Sequence, residues 1–314
     1  MILYPTAANP VPEGAVCGVV RTADGITLRY ARWLPTAPCR GTVCVLPGRT
    51  EKIEKYFETV ADLRRRGFAV AVLDWRGQGG SQRLLRNPTK GHARDFLDYQ
   101  LDLQAFVREV MLPDCPPPYF ALAHSMGAAI MLDTARIGRR WFDRMVLVAP
   151  MLGIERVRHE RAARRSARLL GALGFARLKV PARREIYSTS LPFEGNRLSS
   201  DPVRYQRNLG ISREHPELDV GAPTIGWIRA AFDLMDRLAD PATARAIRQP
   251  LLMVGAGADE IVSTRAIEHL GTRLIAGAHI VIPGARHEIL QERDVFREQL
   301  LAAFDAFVPG SPPY

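Results

Sequence analysis

The sequence predicts an α/β protein built on a mostly parallel, doubly wound sheet. Three observations support this: short apolar runs, amphipathic helical patterns between them, and a stretch of about a hundred residues where the alternation stops. Strands that helices cover on both faces are apolar throughout. The apolar runs are Thr42–Leu46, Ala69–Asp74, Tyr119–Ala123 and Met145–Ala149. Such runs alternating with helices are typical of βαβ units.

The first half of the chain opens with a hairpin and continues with helices between the strands. Val16–Thr22 and Ile26–Trp33 are predicted as antiparallel strands, because Asp24-Gly25 supplies turn residues between them. Helices are predicted over Ile53–Arg66 and Phe96–Val110, where apolar residues recur at helical spacing.

After Pro150 the strand rhythm stops, and the chain turns to arginine-rich helix, loops and scattered proline. The alternation resumes with two strands and two helices, at Leu251–Gly255, Thr264–Leu270, His279–Ile282 and Ile289–Phe307. We therefore predict a core formed by residues 1–150 and 241–314, with an insertion at residues 151–240; these boundaries are approximate.

Length and composition limit the class of protein. A chain of 314 residues suits one domain with an insertion, or two small domains. Its 47% hydrophobic and 24% charged residues fit a soluble globular protein and argue against a disordered or fibrous one. No apolar run approaches the roughly 20 residues that span a bilayer. The N-terminus lacks a basic region followed by an apolar block, so we expect a cytoplasmic protein.

The four cysteines give no sign of redox chemistry or metal binding. They form no CxxC pair and lie apart from any histidine cluster with metal-ligand spacing. Buried free thiols are expected, because a cytosolic setting keeps cysteines reduced. We expect neither a metal nor an organic cofactor.

The net charge of +10 is concentrated in one segment of the predicted insertion. Between Glu155 and Arg184 there are ten basic and two acidic residues, a local balance of +8. Around Arg156 to Leu178 the arginines are joined by leucines and a phenylalanine, a pattern compatible with anionic membrane surfaces. A solvated basic helix face packed on the core is the alternative. No nucleic-acid-binding motif accompanies the charge, so no nucleic-acid partner is expected.

The strongest local signal is an apolar strand from Tyr119 that runs into Ala123-His124-Ser125-Met126-Gly127 and then into a helical pattern. A serine in a sharp strand-to-helix turn needs small residues two positions before and after it, and Ala123 and Gly127 satisfy this. Ser125 is therefore the predicted nucleophile. The alternative is a serine that only caps a helix.

A serine nucleophile needs a base within hydrogen-bond reach and an acid that orients the base. The hydrolase order is serine, acid, histidine. His287 lies just past the last predicted strand, and Asp259 follows the strand at Leu251–Gly255, with Glu260 as the alternative acid. The other histidines fall in the elbow, in the insertion or away from a suitable strand end. Helix or turn capping by Asp259 and a solvated His287 remain alternatives.

Acyl transfer also requires an oxyanion hole, formed by the amide after the nucleophile and one from the loop after an early strand. The backbone N–H of Met126 is the predicted first donor. The second is expected from Arg49, because Gly48 lets the backbone approach the substrate. A plain strand-to-helix turn is the alternative for this loop.

With these residues in place, the chain resembles the α/β-hydrolase superfamily, and within it the bacterial lysophospholipase and monoacylglycerol lipase branch. The resemblance runs almost end to end. It rests on Gly48-Arg-Thr-Glu-Lys-Ile-Glu-Lys-Tyr-Phe, Leu73-Asp-Trp-Arg-Gly-Gln-Gly-Gly-Ser, the elbow, Gly257-Ala-Asp-Glu-Ile-Val and Gly284-Ala-Arg-His-Glu-Ile-Leu. It implies a Ser125, Asp259 and His287 triad, oxyanion donors at Arg49 and Met126, and a helical lid formed by the insertion.

Two positions depart from the family pattern. Pro47 replaces the usual histidine before the oxyanion glycine, which removes a backbone donor and side-chain hydrogen bonds. Ala123 replaces the usual glycine of the elbow. Asp74, Arg76 and Ser81 match a family segment for which we expect a structural role.

The resemblance implies a serine hydrolase that cleaves carboxylic esters, with a lysophospholipid or monoacylglycerol as substrate. The basic lid suggests peripheral contact with an anionic membrane. The fold alone does not exclude acyltransferase, peptidase or thioesterase activity. A non-catalytic acyl-binding protein on the same fold is the rival from another class.

Overall fold

The computed structural model describes residues 2–36, 38–155, 157, 159–180 and 192–309. Within these ranges eight strands form one sheet in the order β1-β2-β4-β3-β5-β6-β7-β8. The strands are β1 (Val16–Arg21), β2 (Thr27–Trp33), β3 (Thr42–Leu46), β4 (Ala69–Leu73), β5 (Tyr119–His124), β6 (Arg144–Val148), β7 (Leu251–Ala256) and β8 (Gly277–Ile282). Strands β3 to β8 run parallel, and β1 and β2 are antiparallel to their neighbours. The predicted mostly parallel sheet is confirmed.

The predicted hairpin is also confirmed. Strand β1 pairs with β2 so that Val20 faces Leu28. Gly25 in the connecting turn has φ +85°, a left-handed conformation that glycine adopts without strain.

Helices flank the sheet on both faces. They are α1 (Phe57–Arg65), α2 (Asp98–Phe106), α3 (Leu112–Asp114), α4 (Ser125–Arg136), α5 (Glu160–Ala172), α6 (Pro202–Glu214), α7 (Ile225–Ala239), α8 (Pro241–Ala246), α9 (Thr264–Gly271) and α10 (Asp294–Phe307). Alternate side chains of the central strands enter two separate cores. Cys44 and Leu46 of β3 pack with α2 and α4, whereas Val43 and Val45 pack with α1 and α10. Each fully buried aliphatic side chain contributes about 1.5–3 kcal/mol, which explains why these strands are apolar throughout.

Three predicted helices differ from the observed ones. The first turn of Ile53–Arg66 is a 3-10 helix, and the second helix begins at Asp98 and passes into a π-helix at Val107–Met111. The single helix predicted over Ile289–Phe307 is wrong, because a 3-10 turn is followed by a break before α10. At this break the Glu292 carboxylate accepts hydrogen bonds from the amides of Ser200, Arg286 and Arg293.

The chain between β6 and β7 forms α5 to α8, with residues 181–191 outside the described part. Helix α5 packs on α7 with partly exposed ion pairs between Arg164 and Asp236 and between Arg168 and Asp233. Two of the predicted basic residues are thus neutralised by α7. Others fall outside the described residues: Arg156, Arg158, Arg183 and Arg184.

The cysteines are free, as predicted, but they are not all buried. Cys44 and Cys115 are buried, Cys17 is half-buried and Cys39 is exposed. Across the described ranges, no helix has the length and apolarity needed to cross a membrane.

A fully buried ion cluster joins β2, the end of β4 and the turn before α1. The Arg29 guanidinium lies 2.7 Å from Asp74 Oδ2 and 2.8 Å from Glu54 Oε1. Asp74 also accepts hydrogen bonds from the amides of Ile53 and Gly80. The side chain of Asp74 therefore fixes the backbone, as the sequence predicted for this segment.

Candidate active site

Ser125 lies in the sharp turn that the sequence predicts between β5 and α4. Its φ is +49°, a strained conformation for a residue with a side chain. A Cβ atom at Gly127 would lie 2.5 Å from the carbonyl oxygens of both Leu46 and Pro47, so only glycine fits there. The turn brings the start of α4 directly against the loop after β3.

Ala123, two positions before the serine, fits without a clash. It is fully buried in β5. It pairs with Leu46 of β3 and Leu147 of β6 in the central part of the sheet. The extra methyl group relative to glycine is therefore part of the packed core.

The structure brings Ser125, His287 and Asp259 together from three separate loops at the carboxyl edge of the sheet. His287 Nε2 lies 3.0 Å from Ser125 Oγ, and His287 Nδ1 lies 2.7 Å from Asp259 Oδ2. Because a carboxylate only accepts, Nδ1 carries the proton, and Nε2 is left to accept from the serine hydroxyl. All three side chains are largely buried.

Asp259 is held on both of its oxygen atoms. Oδ1 accepts hydrogen bonds from the amides of Ile261 (2.8 Å) and Val262 (3.0 Å), while Oδ2 faces His287. Burial alone would raise the pKa of Asp259, but the neighbouring His287 ring and these hydrogen bonds hold it below its usual value. Glu260, the alternative acid, is partly exposed and pairs with Arg197 at 3.2 Å. The structure thus places Asp259, and not Glu260, beside His287.

A second histidine supports the first. His124 is buried, with Nε2 3.2 Å from the carbonyl oxygen of His287 and Nδ1 2.9 Å from Glu51 Oε1. Both partners are acceptors, so both ring nitrogens carry protons and the ring is positively charged. Burial would lower the pKa of His124, but the Glu51 carboxylate outweighs it and raises the pKa above the ordinary value.

Glu51 connects this histidine to the loop after β3. Its carboxylate accepts from the Gly48 amide, the Tyr56 hydroxyl, the Lys55 ammonium and the His124 ring. Burial would raise the pKa of Glu51, but His124 and Lys55 hold it well below its usual range. No sequence pattern predicts a role for Glu51, although it lies in the segment from Gly48 to Phe57 that resembles the family.

The loop after β3 is fixed without the usual histidine. Trp75 Nε1 donates to the carbonyl of Pro47 at 2.8 Å, and Gln78 Nε2 donates to the carbonyl of Gly48 at 3.0 Å. Gln78 Oε1 accepts from the Thr50 amide at 2.9 Å. The amides of Gly48 and Thr50, on either side of Arg49, therefore donate to Glu51 and Gln78. The Arg49 amide lies between them.

A cavity of about 170 Å³ opens beside Ser125, and its mainly apolar lining also contains a group of polar residues. The apolar residues of α7 and of the loops after β6 and β7 are called the apolar wall. They include Met151, Ile154, Trp227, Phe232, Met235 and Val262. The polar residues of the segment 50–55 and α6 are called the polar wall, although α6 also adds Leu209 and Ile211 to the lining. It includes Thr50, Lys52, Lys55, Tyr205, Asn208 and Ser212.

The arrangement suits acyl transfer to a serine. It combines a hydroxyl, a histidine that can accept its proton and a carboxylate that orients the histidine. The start of α4 adds amides that lack intrahelical partners, with the positive end of the helix dipole. Across the described ranges, no group of three histidine, cysteine or acidic side chains is placed to hold a metal ion.

The parallel sheet, the strained serine turn and the serine, acid, histidine order define an α/β-hydrolase. Residues 37–294 match the family described as Serine aminopeptidase, S33. Lysophospholipase L2 of Escherichia coli K12 is 34% identical over 301 residues, covering 90% of this chain and 84% of that protein. This chain belongs to the S33 family, within its lysophospholipase and monoacylglycerol lipase branch, and is a serine ester hydrolase of that type.

Two further comparisons agree with this assignment. Rat monoglyceride lipase is 30% identical over 132 residues, covering 41% of each chain. The structure of a monoglyceride lipase variant from Saccharomyces cerevisiae superposes with a TM-score of 0.74 at 19% identity, covering 97% of this chain and 98% of that one. The structural likeness concerns the fold.

Proposed function

We propose that this protein hydrolyses the carboxylic ester of a lysophospholipid or monoacylglycerol through a covalent acyl-enzyme. The hydrogen-bonded chain from Ser125 through His287 to Asp259, beside a partly apolar cavity, is the observation that carries the proposal. The similarity to lysophospholipase L2 and monoglyceride lipase supports the choice of substrate.

In the proposed reaction Ser125 Oγ attacks the ester carbonyl carbon while its proton passes to His287 Nε2. Asp259 stabilises the resulting imidazolium. The tetrahedral intermediate then collapses: the bond to the alcohol oxygen breaks, and His287 donates its proton to that oxygen. A water molecule attacks the acyl-enzyme in the same way, with His287 accepting its proton and returning it to Ser125. The products are the alcohol and the fatty acid.

The negative charge of each tetrahedral intermediate is assigned to the amides of Met126 and Arg49. Met126 is the second residue of α4, where backbone amides lack intrahelical partners. The hydrogen bonds of Trp75, Gln78 and Glu51 to the loop after β3 support this role, because they fix the loop before substrate binds.

The acyl chain is assigned to the apolar wall of the cavity. Trp227 and Phe232 of α7 contribute to this wall, so a longer acyl chain can bury more apolar surface there than an acetyl group can. We therefore expect esters with a medium or long acyl chain to be better substrates than acetyl esters.

The test is labelling with a fluorophosphonate probe, followed by turnover of lysophosphatidylcholine, monoacylglycerol and short esters. Ser125→Ala should lose labelling and lower ester turnover by about 10³-fold or more. Ser166→Ala, at an exposed serine of α5, is the matched control and should retain both. A Ser125→Ala protein that cleaves esters at the wild-type rate would contradict the proposal.

We also propose that residues 151–240 form a lid that contacts an anionic membrane from the cytoplasm. Leu169 and Leu173 are 62% and 61% exposed, and Phe175 is 45% exposed. Arg165 and Arg161 lie one and two turns before Leu169 on α5 and are also exposed. Exposed apolar side chains next to unburied arginines suit a surface of anionic lipid.

Co-sedimentation with vesicles tests this contact. The wild-type protein should bind vesicles that contain phosphatidylglycerol more strongly than pure phosphatidylcholine vesicles, and salt should weaken binding. The double variant Leu169→Ser, Leu173→Ser should lose binding. Ile275→Ser, at an exposed residue just before β8, is the control. Binding that is independent of anionic lipid would contradict the proposal.

A further inference from the structure

Lys52 is a buried cation in the polar wall of the cavity. The residue is 4% exposed, and its Nζ lies 2.9 Å from Ser212 Oγ and in contact with the Asp219 carboxylate. An ammonium group has three N–H donors, and these two partners account for two of them.

The counter-ion of Lys52 lies behind it. Asp219 is not part of the cavity lining, whereas Lys52 and Ser212 are. The Asp219 side chain is 25% exposed and also accepts from Ser212 Oγ at 3.0 Å. Lys52 and Ser212 therefore belong to the cavity lining, whereas their acidic partner is partly exposed and lies outside it.

The other lysine and the arginine of the lining are engaged differently. Lys55 Nζ lies between Glu51 (2.7 Å) and Glu288 (2.6 Å), and both carboxylates line the cavity beside it. The Arg49 guanidinium stacks 5.0 Å from the Trp227 ring of the apolar wall. Lys52 is thus the cation of the polar wall whose counter-ion is outside the cavity.

An ester bound at Ser125 extends in two directions from its carbonyl carbon. If the acyl chain follows the apolar wall, the alcohol part of the substrate faces the polar wall. A cation in this lining favours a substrate whose alcohol part carries a negative charge. A phosphodiester anion has that charge, and hydrogen bonds between ionised groups are about twice as strong as neutral ones.

We infer that Lys52 binds the phosphate of a lysophospholipid headgroup and so selects lysophospholipids over neutral monoacylglycerols. The inference rests on the proposed function, because it concerns the alcohol part of the same ester substrate. A monoacylglycerol presents only hydroxyl groups to Lys52 and gains less from its charge. Ser212 Oγ holds the ammonium in place at 2.9 Å.

The experiment compares kcat/KM for lysophosphatidylcholine and for the monoacylglycerol with the same acyl chain. Lys52→Met should lower kcat/KM for the lysophospholipid by about 10- to 100-fold and leave the monoacylglycerol within about threefold. Lys52→Arg keeps the charge and should retain most of the selectivity. Lys179→Met, at an exposed lysine outside the lining, controls for loss of positive charge in general.

Asp219→Asn should not share this loss of selectivity. It removes the counter-ion and leaves the Lys52 charge to the ligand, so selectivity for the lysophospholipid should stay equal or rise. The inference is overturned if Lys52→Met loses kcat/KM equally for both substrates. It is also overturned if Lys52→Met and Asp219→Asn both lose selectivity for the lysophospholipid. If Lys52→Met does not fold, a fall in selectivity in Asp219→Asn overturns it.

Fluorophosphonate labelling and p-nitrophenyl butyrate turnover report on Ser125 separately. A wild-type protein that is not labelled and cleaves no ester overturns the proposed function itself. Normal labelling and butyrate turnover in Lys52→Met, with unchanged selectivity between the two lipids, overturns only the assignment of Lys52.

Discussion

Glu51 and His124 form a buried ion pair, 2.9 Å between Oε1 and Nδ1, that joins two of the three loops around Ser125. On one side, the Glu51 carboxylate accepts from the Gly48 amide in the loop after β3. On the other, the His124 ring faces the main-chain carbonyl of His287 at 3.2 Å. One pair of charges therefore positions both the proposed oxyanion loop and the backbone of the histidine beside the serine.

Removing the charge of Glu51 should lower kcat more than it raises KM. Glu51→Gln keeps the shape of the side chain but no longer balances His124 and Lys55, so the loop after β3 and the backbone of His287 lose a shared anchor. We expect kcat for a soluble ester to fall by about 10- to 100-fold, as for loss of a positioning interaction.

Glu58→Gln is the matched control for this variant. Glu58 is a half-buried glutamate that pairs with Arg204 at 2.6 Å, away from the cavity lining. It should reduce stability and leave kcat within about twofold. A Glu51→Gln protein with wild-type kcat would show that the ion pair has no positioning role.

The same pair predicts a pH dependence of stability. The pKa of His124 lies above its ordinary value of 6.5, since the Glu51 carboxylate outweighs the effect of burial. Such a group contributes its full stabilisation at pH values below its pKa in the unfolded chain. This contribution is lost as the pH rises through its pKa in the folded protein. We therefore expect the free energy of unfolding to decline above about pH 6.5.

Urea unfolding at a series of pH values measures this decline. His124→Gln should be less stable near neutral pH and should lack the His124 part of the alkaline decline. His269→Gln, at an exposed histidine of α9, should keep the wild-type profile. Identical pH profiles for the wild-type protein and His124→Gln would refute the assignment of charge to His124.

The sequence predicted those parts of the structure that depend on local pattern. The parallel strands follow from apolar runs such as Val43 to Leu46, since both of their faces are buried. The positions of Ser125, Asp259 and His287 follow from chain order, because the carboxyl ends of parallel strands share one edge of the sheet.

The charged segment from Glu51 to Lys55 was beyond sequence reasoning. A run of alternating acids and bases is usually a solvated helix face, yet Glu51, Lys52, Glu54 and Lys55 are all buried. Their partners come from distant parts of the chain: His124, Asp219, Arg29 and Glu288. Only the fold brings these charges together, so no local pattern distinguishes them from surface charges.

Gly127 should tolerate no side chain. Its missing Cβ would meet the carbonyl oxygens of Leu46 and Pro47 at 2.5 Å, and both belong to the backbone of the loop after β3. Gly127→Ala should therefore reduce stability by about 1–3 kcal/mol and displace the proposed oxyanion loop, with a fall in ester turnover. Gly210→Ala on α6, where no atom lies within 4 Å, should be as stable as wild type or more so.

The choice between the two adjacent acids is a direct test of the proposed triad. Asp259 lies 2.7 Å from His287 and accepts two backbone amides, whereas Glu260 pairs with Arg197. Asp259→Asn replaces the acceptor that fixes the proton on His287 Nδ1, so Nε2 can become the protonated nitrogen and no longer accept from Ser125. We expect kcat to fall by about 10³- to 10⁴-fold, as a triad loses its orienting carboxylate.

Glu260→Gln should stay within about threefold of wild type in ester turnover. A larger loss in Glu260→Gln than in Asp259→Asn would assign the acid to Glu260 and show that the loop after β7 rearranges during the reaction.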